Sequence, residues 1–94
     1  MRITPRNILL HELIGLEVEV FSSKNPALKG IKGVVVDETL NLLVIETEKR
    51  ERKKVPKELC VFKFRLPDGV QVLVSGSAIR GRPEDRLKKK IRYW

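Results

Sequence analysis

Apolar and polar residues alternate with a period of two through much of this chain. Leu16, Val18 and Val20 point one way while Glu17 and Glu19 point the other, which predicts a half-buried strand over Leu16–Phe21. The pattern returns at Gly30–Glu38, and again at Leu42–Glu48 with Leu43 and Ile45 on one face. In Leu59–Leu66, Cys60, Phe62, Phe64 and Leu66 share a face opposite Lys63 and Arg65, and Val70, Val72 and Val74 resume the inward face afterwards. Turn signals separate these runs: Asn25-Pro26 within the loop Ser22–Lys29, then Thr39–Asn41, Pro67-Asp68-Gly69 and Gly76-Ser77. Pro56 suits a strand end or edge. Gly30 and Gly33 suit a bend or a close backbone approach. Ala78–Arg80 is long enough for a short closing strand. About five to seven short strands with little helix predict a mainly β fold, a small antiparallel barrel of the SH3-like, Sm-like or OB-like kind.

The ends read differently. Thr4 is a good N-cap, Pro5 suits the first helical position, and Ile3 and Ile8 stand where a hydrophobic staple would. Ile8, Leu9, Leu10, Leu13 and Ile14 give this predicted helix an apolar face, and Gly15 a stop. Such a helix either caps the barrel or docks a protein partner, through Ile8, Leu9, Leu10 and Leu13. At the other end Pro83, Glu84 and Asp85 make a helix first turn, followed by a thin apolar stripe of Leu87, Ile91 and Trp94 among basic residues. The expected organisation is an N-terminal helical extension over 1–15, a barrel over 16–81 and a basic C-terminal helix or tail over 82–94.

Charge changes the picture. The 94 residues carry 20 Lys+Arg against 12 Asp+Glu, a formal net charge of +8, which points to a polyanionic partner. The excess is uneven. Residues 1–48 hold 5 basic and 7 acidic side chains, whereas residues 49–94 hold 15 and 5. Two clusters dominate, a predicted hairpin tip over Lys49–Lys54 and the tail over Arg86–Arg92. Only Glu51 interrupts the first and nothing acidic interrupts the second, so local pairing does not neutralise them. Lysine and arginine in such density release counterions from a phosphate backbone. Phe62 and Phe64 belong to the core alternation, so no base-stacking platform is visible. Recognition is expected to be of phosphates and shape, with the role of Tyr93 and Trp94 undecided.

Other chemistries find little support. One cysteine, Cys60, excludes an internal disulfide, and with one histidine, His11, it cannot supply a four-ligand zinc site. Cys60 is expected to be an inert core thiol. Asp37, Glu38, Glu46 and Glu48 lie on neighbouring predicted strands, but Asp37 and Glu38 are adjacent and face opposite ways, and no nucleophile or base stands beside them. No catalytic residue, metal ligand or cofactor of this chain is therefore expected. Apolar runs reach only about four residues, far short of the roughly 18 needed to span a bilayer, and the tail's stripe is thin for interfacial insertion. A soluble, cytoplasmic protein, monomeric when isolated, is expected.

His11-Glu12-Leu13-Ile14-Gly15-Leu16 resembles the start of the domain found in protein component 1 of archaeal ribonuclease P. So do the stretch from Asn25-Pro26-Ala27 through Gly33-Val34-Val35-Val36-Asp37-Glu38-Thr39 and the string Gly81-Arg82-Pro83-Glu84-Asp85-Arg86. The resemblance spans nearly the whole chain. It implies an Sm-like barrel that assists 5′-end maturation of precursor tRNA as a subunit of an endonuclease whose catalyst is RNA with bound Mg²⁺. It also implies partnership with ribonuclease P RNA, precursor tRNA and a zinc-ribbon protein subunit of the same enzyme. The expected RNA contacts are Lys24, Lys29, Lys32, Arg50, Arg52, Lys53, Lys54, Arg80, Arg82, Arg86, Lys88, Lys89, Lys90 and Arg92. The Gly30–Glu38 strand also resembles a motif of ribosomal and transcription-elongation barrels, so a ribosomal or other RNA-assembly protein is the alternative.

Overall fold

The computed structural model describes Ile8 and residues 12–81. Six antiparallel strands form one sheet in the order β4-β3-β2-β1-β5-β6. They are β1 (Glu17–Ser23), β2 (Lys32–Glu38), β3 (Leu42–Glu46), β4 (Arg52–Pro56), β5 (Cys60–Arg65) and β6 (Gln71–Ser75). The period-two alternation is realised at most positions, but Val70, expected on the inward face, precedes β6 in the turn and is exposed, and Val72 is only half-buried. Val18 and Val20, Val35, Leu43 and Ile45, Val55, Phe62 and Phe64, and Val74 are buried, so every strand sends one face into a single core. The sheet is therefore curled on itself, which places the polar faces of all six strands outside.

Edges β4 and β6 do not pair with each other. Two 3-10 turns, Lys57–Leu59 after β4 and Gly76–Ile79 after β6, fill the gap between them. Their backbones meet so closely that a Cβ on Gly76 would lie 1.5 Å from the Lys57 carbonyl oxygen, and only glycine fits. The closing strand expected over Ala78–Arg80 is thus replaced by a tight turn that drops Ile79 into the core. Gly33 serves a second close approach, with a Cβ there 2.0 Å from the Glu46 carbonyl oxygen across β2 and β3.

Other boundaries shift slightly. The first loop contains a 3-10 turn, Pro26–Leu28, capped by the Asn25 side chain, which accepts a hydrogen bond from the Ala27 N–H. The basic tip is shorter than expected. The reversal occupies residues 47–51, where the Thr47 N–H bonds to the Glu51 carbonyl and the Arg50 N–H to the Thr47 carbonyl, while Arg52, Lys53 and Lys54 already belong to β4. Pro67-Asp68-Gly69 turns as predicted, with Asp68 Oδ1 accepting from the Val70 N–H.

At the N-terminal side, Glu12 and Leu13 are not helical and the chain turns at Ile14 and Gly15. Ile8 and Leu13 are both buried in the barrel core. Of the two roles open to that apolar segment, these residues take the capping one, and they present no free face to a partner. Leu9 and Leu10, the remainder of the predicted N-terminal helix and the predicted C-terminal helix lie outside the described residues.

Candidate nucleic-acid interface

The β4 edge carries the densest positive charge among the described residues. Cross-strand partners share a face, so Arg52 and Lys54, opposite Glu46 and Val44, point outward. Lys53 has the parity of buried Ile45 but stands at the barrel rim, where its ammonium reaches Glu51 at 3.3 Å. Beyond them Arg50 occupies the left-handed backbone region, with φ of 62°. A non-glycine residue there is strained, and such strain collects at functional loops.

Local sequence missed the acids that face this cluster. Arg52 pairs with Glu46 of β3 at 3.4 Å, and Arg80 pairs with Glu58 at 2.8 Å. These are corrections to the unneutralised tip expected from charge runs, because the partners sit across a strand pair or on a neighbouring turn. All three pairs, including Lys53–Glu51, are exposed, so each contributes only about 0–1 kcal/mol and a phosphate can displace the carboxylate. Among the described residues, no ion pair holds Lys24, Lys29, Lys32, Lys49, Arg50 or Lys54. Arg82, Arg86, Lys88, Lys89, Lys90 and Arg92 lie outside the described residues.

Topology gathers part of the predicted set. Because β2 pairs with β3, Lys32 at the start of β2 lies beside the 47–51 tip. Lys32 and Lys49 line one open groove of about 710 Å³ on the outer face, together with Lys63 and Arg65. Four carboxylates, Glu17, Glu19, Glu48 and Glu51, line it too. Lys63 is held by Glu19 at 3.5 Å and Arg65 by Glu17 at 3.9 Å, which leaves Lys32 and Lys49 as the groove's unpaired cations. Lys24 sits elsewhere, its N–H bonded to the Leu59 carbonyl near the Glu58–Arg80 pair. Positive charge is thus spread along the tip, the β4 edge and the first loop rather than focused in one pocket.

Carboxylates that sequence placed on neighbouring strands do not converge. Asp37 Oδ1 accepts from the Glu38 N–H, Glu46 takes Arg52, and Glu38 turns inward. There it meets Lys57, which sequence reading passed over. Both side chains are 0% exposed, and Lys57 Nζ lies 2.7 Å from Glu38 Oε2. The ammonium also donates to the carbonyls of Thr39 at 2.8 Å and Gly81 at 2.9 Å. Nothing local marks Lys57 for burial, since its acid lies 19 positions away. This knot ties the β2–β3 turn to Gly81, whose N–H bonds in turn to the Leu40 carbonyl. The basic segment 82–94 therefore starts from a fixed point.

Comparison with known proteins agrees with this architecture. Residues 6–89 match the model of the family Ribonuclease P/MRP, subunit p29. The chain belongs to that family. It is 58% identical over 90 residues to "Ribonuclease P protein component 1" of Methanocaldococcus jannaschii, covering 96% of this chain and 94% of that protein. It is 48% identical over 94 residues to the protein of the same name from Thermofilum pendens, covering both chains completely. A solved structure, Mth11, described as a homologue of human RNase P protein Rpp29, superposes with a TM-score of 0.60 and 47% identity over 81% of this chain and 97% of its own. The subunit p29 family and its six-stranded sheet thus agree with the resemblance seen in the sequence.

Proposed function

We propose that this chain is the p29-type protein subunit of a ribonuclease P, binding the enzyme's RNA and assisting 5′-end maturation of precursor tRNA. The observation that carries this reading is whole-length similarity, at 48–58% identity, to proteins named Ribonuclease P protein component 1. The surface is consistent with it. Exposed unpaired cations at Lys24, Lys29, Lys32, Lys49, Arg50 and Lys54 suit phosphates, which fix position and register without reading bases. The strained Arg50 at the tip is the described residue best placed for such a contact. Arg52, Lys53 and Arg80 join once their exposed carboxylate partners are displaced. The segment 82–94 adds Arg82, Arg86, Lys88, Lys89, Lys90 and Arg92.

In this reading the isolated protein does not cleave RNA. Bond breaking belongs to the RNA and its Mg²⁺ in the assembled hydrolase, and the protein stabilises the folded RNA. A zinc-ribbon subunit and other holoenzyme proteins are its protein partners, and the isolated chain is a monomer acting in the cytoplasm.

Reconstitution tests the proposal. Purified protein is incubated with precursor tRNA and Mg²⁺, with and without the cognate catalytic RNA. Stimulated 5′ cleavage only when that RNA is present is the expected result. Cleavage by protein alone overturns the division of labour, and no effect in either arm favours a ribosomal or other RNA-assembly protein.

A further inference from the structure

Phenylalanine occurs three times in the chain, and two of the rings, Phe62 and Phe64, are completely buried. The third, Phe21, is 47% exposed on the outer face of the sheet. Its placement is specific. Between β1 and β5 the register steps from Val20↔Phe62 to Ser22↔Val61, so Phe21 is the extra residue of a β-bulge. Bulges re-aim a side chain out of the regular ladder. Val20, just before it, exchanges backbone hydrogen bonds with Ile31 and Gly30 rather than with one residue, so the neighbouring strand is irregular there too.

One lysine stands beside the ring. Lys63 Nζ stands 6.0 Å from its centroid, at the outer limit of a cation–π contact, and is shared with Glu19 at 3.5 Å. Lys24 follows three residues later, and Lys29 precedes the Gly30 that bonds to Val20; neither is held by an ion pair among the described residues. A second apolar side chain, Leu73 at 55% exposure, lies opposite Lys63 on β6. An exposed aromatic face with one lysine beside it, and two unpaired lysines in the adjoining loop, has the chemistry of a base-stacking site, in which the ring takes one unpaired nucleobase and the lysines take its flanking phosphates.

We propose that Phe21 is a stacking platform for a single unpaired base of RNA, with Lys63, Lys24 and Lys29 on the adjoining phosphates. This rests on the RNA-binding reading above and deepens it. It also revises the expectation of pure phosphate and shape recognition, which followed from counting only the core phenylalanines. A protein partner is the competing occupant. Lys63 beside the ring and the unpaired Lys24 and Lys29 of the adjoining loop favour the polyanion.

The test uses the full chain with the cognate catalytic RNA, and with a twelve-nucleotide oligouridylate against a duplex of about the same length. Phe21→Leu keeps an apolar side chain and removes the ring; Phe21→Trp keeps and enlarges it. Phe21→Leu is expected to weaken binding to the catalytic RNA and the single strand about five- to a hundredfold and to leave the duplex unaffected. The slope of affinity against salt stays unchanged, because no charge is removed. Phe21→Trp retains wild-type affinity, and in a Trp94→Phe background its fluorescence is quenched by the single strand. An unchanged thermal midpoint of Phe21→Leu, expected for an exposed ring, separates stacking from folding.

Wild-type affinity of Phe21→Leu for both the catalytic RNA and the oligouridylate overturns the stacking site while leaving the subunit reading intact. So does loss of a protein subunit's binding with RNA affinity unchanged, which would make the ring a protein contact. Failure of the unaltered chain to bind the catalytic RNA at any salt overturns both.

Discussion

Lys57→Met tests the buried knot that closes the barrel. The substitution retains most of the side-chain volume but leaves the Glu38 carboxylate, fully enclosed, without the ammonium 2.7 Å away. It also withdraws a donor from the Thr39 and Gly81 carbonyls. Breaking a buried pair from one side costs about 3–5 kcal/mol, because a charge remains in a medium that solvates it poorly. Against a typical total of about 5–15 kcal/mol this is a large fraction of the fold's stability. With a urea slope near the low end for small domains, about 1 kcal/mol/M, the unfolding midpoint should fall by roughly 3–5 M.

A second variant separates the charge from the packing. Removing both partners, as Lys57→Met with Glu38→Leu, eliminates the stranded carboxylate, and apolar replacement of a buried pair is often neutral. The double variant should recover part of the loss but not all, since the two backbone carbonyls still lack the Lys57 donor. Urea unfolding followed by circular dichroism reads both. A Lys57→Met midpoint lowered by less than about 1 M, or a double variant no more stable than the single one, refutes the assignment of this pair as the closing element.

Other outcomes follow from single positions. Arg50→Gly relieves the left-handed backbone strain at the tip and should raise stability by about 0.5–1 kcal/mol, while lowering affinity for the catalytic RNA and the salt slope by about one unit; unfolding midpoint and a salt titration check the two halves. Gly76→Ala places a methyl carbon 1.5 Å from the Lys57 carbonyl oxygen and should prevent closure of the barrel, seen as loss of a cooperative transition, whereas Gly69→Ala meets no such neighbour. The Cys60 thiol, buried and 3.4 Å from Ser23 Oγ, should react with a thiol reagent only at the rate of unfolding.

Legibility followed the range of the signal. Strand faces could be read because alternation is local and repeats every two residues, so Val18, Val20, Leu43, Ile45, Phe62 and Phe64 fell on the core side as expected. The family was legible for the same reason, from short strings around Gly15, Gly33 and Gly81. What sequence missed was non-local. Lys57 looks like any member of a basic run until the fold brings Glu38 to it from 19 positions away. Arg52 looks unpaired until β3 lays Glu46 beside it. The turn Gly76–Ile79 replaces a strand because of a backbone contact with Lys57 that no local pattern announces. Phe21 had the outward parity of Glu17 and Glu19 from the start. Its isolation became visible only when the other two rings were seen to be buried.

The distribution of charge then divides the labour within the chain. Residues 12–81 contain twelve basic and ten acidic side chains, so the barrel is nearly neutral although the chain as a whole is at +8. Most of the excess therefore belongs to the flanking segments, above all to 82–94. Salt-sensitive attraction to a polyanion scales with the number of phosphates neutralised, so the barrel's unpaired cations contribute a share and the six basic side chains of 82–94 add the larger net charge. The barrel also supplies geometry: a clamped Gly81 at the start of the basic segment, a strained arginine tip, and an exposed ring beside Lys63. On this argument, removing 82–94 should flatten the salt dependence of RNA binding, while altering Phe21 or Arg50 should change where the protein sits on the RNA. Footprints of the truncated and substituted chains on the catalytic RNA distinguish the two contributions. A truncated chain with an unflattened salt slope would place the attraction in the barrel and defeat the division.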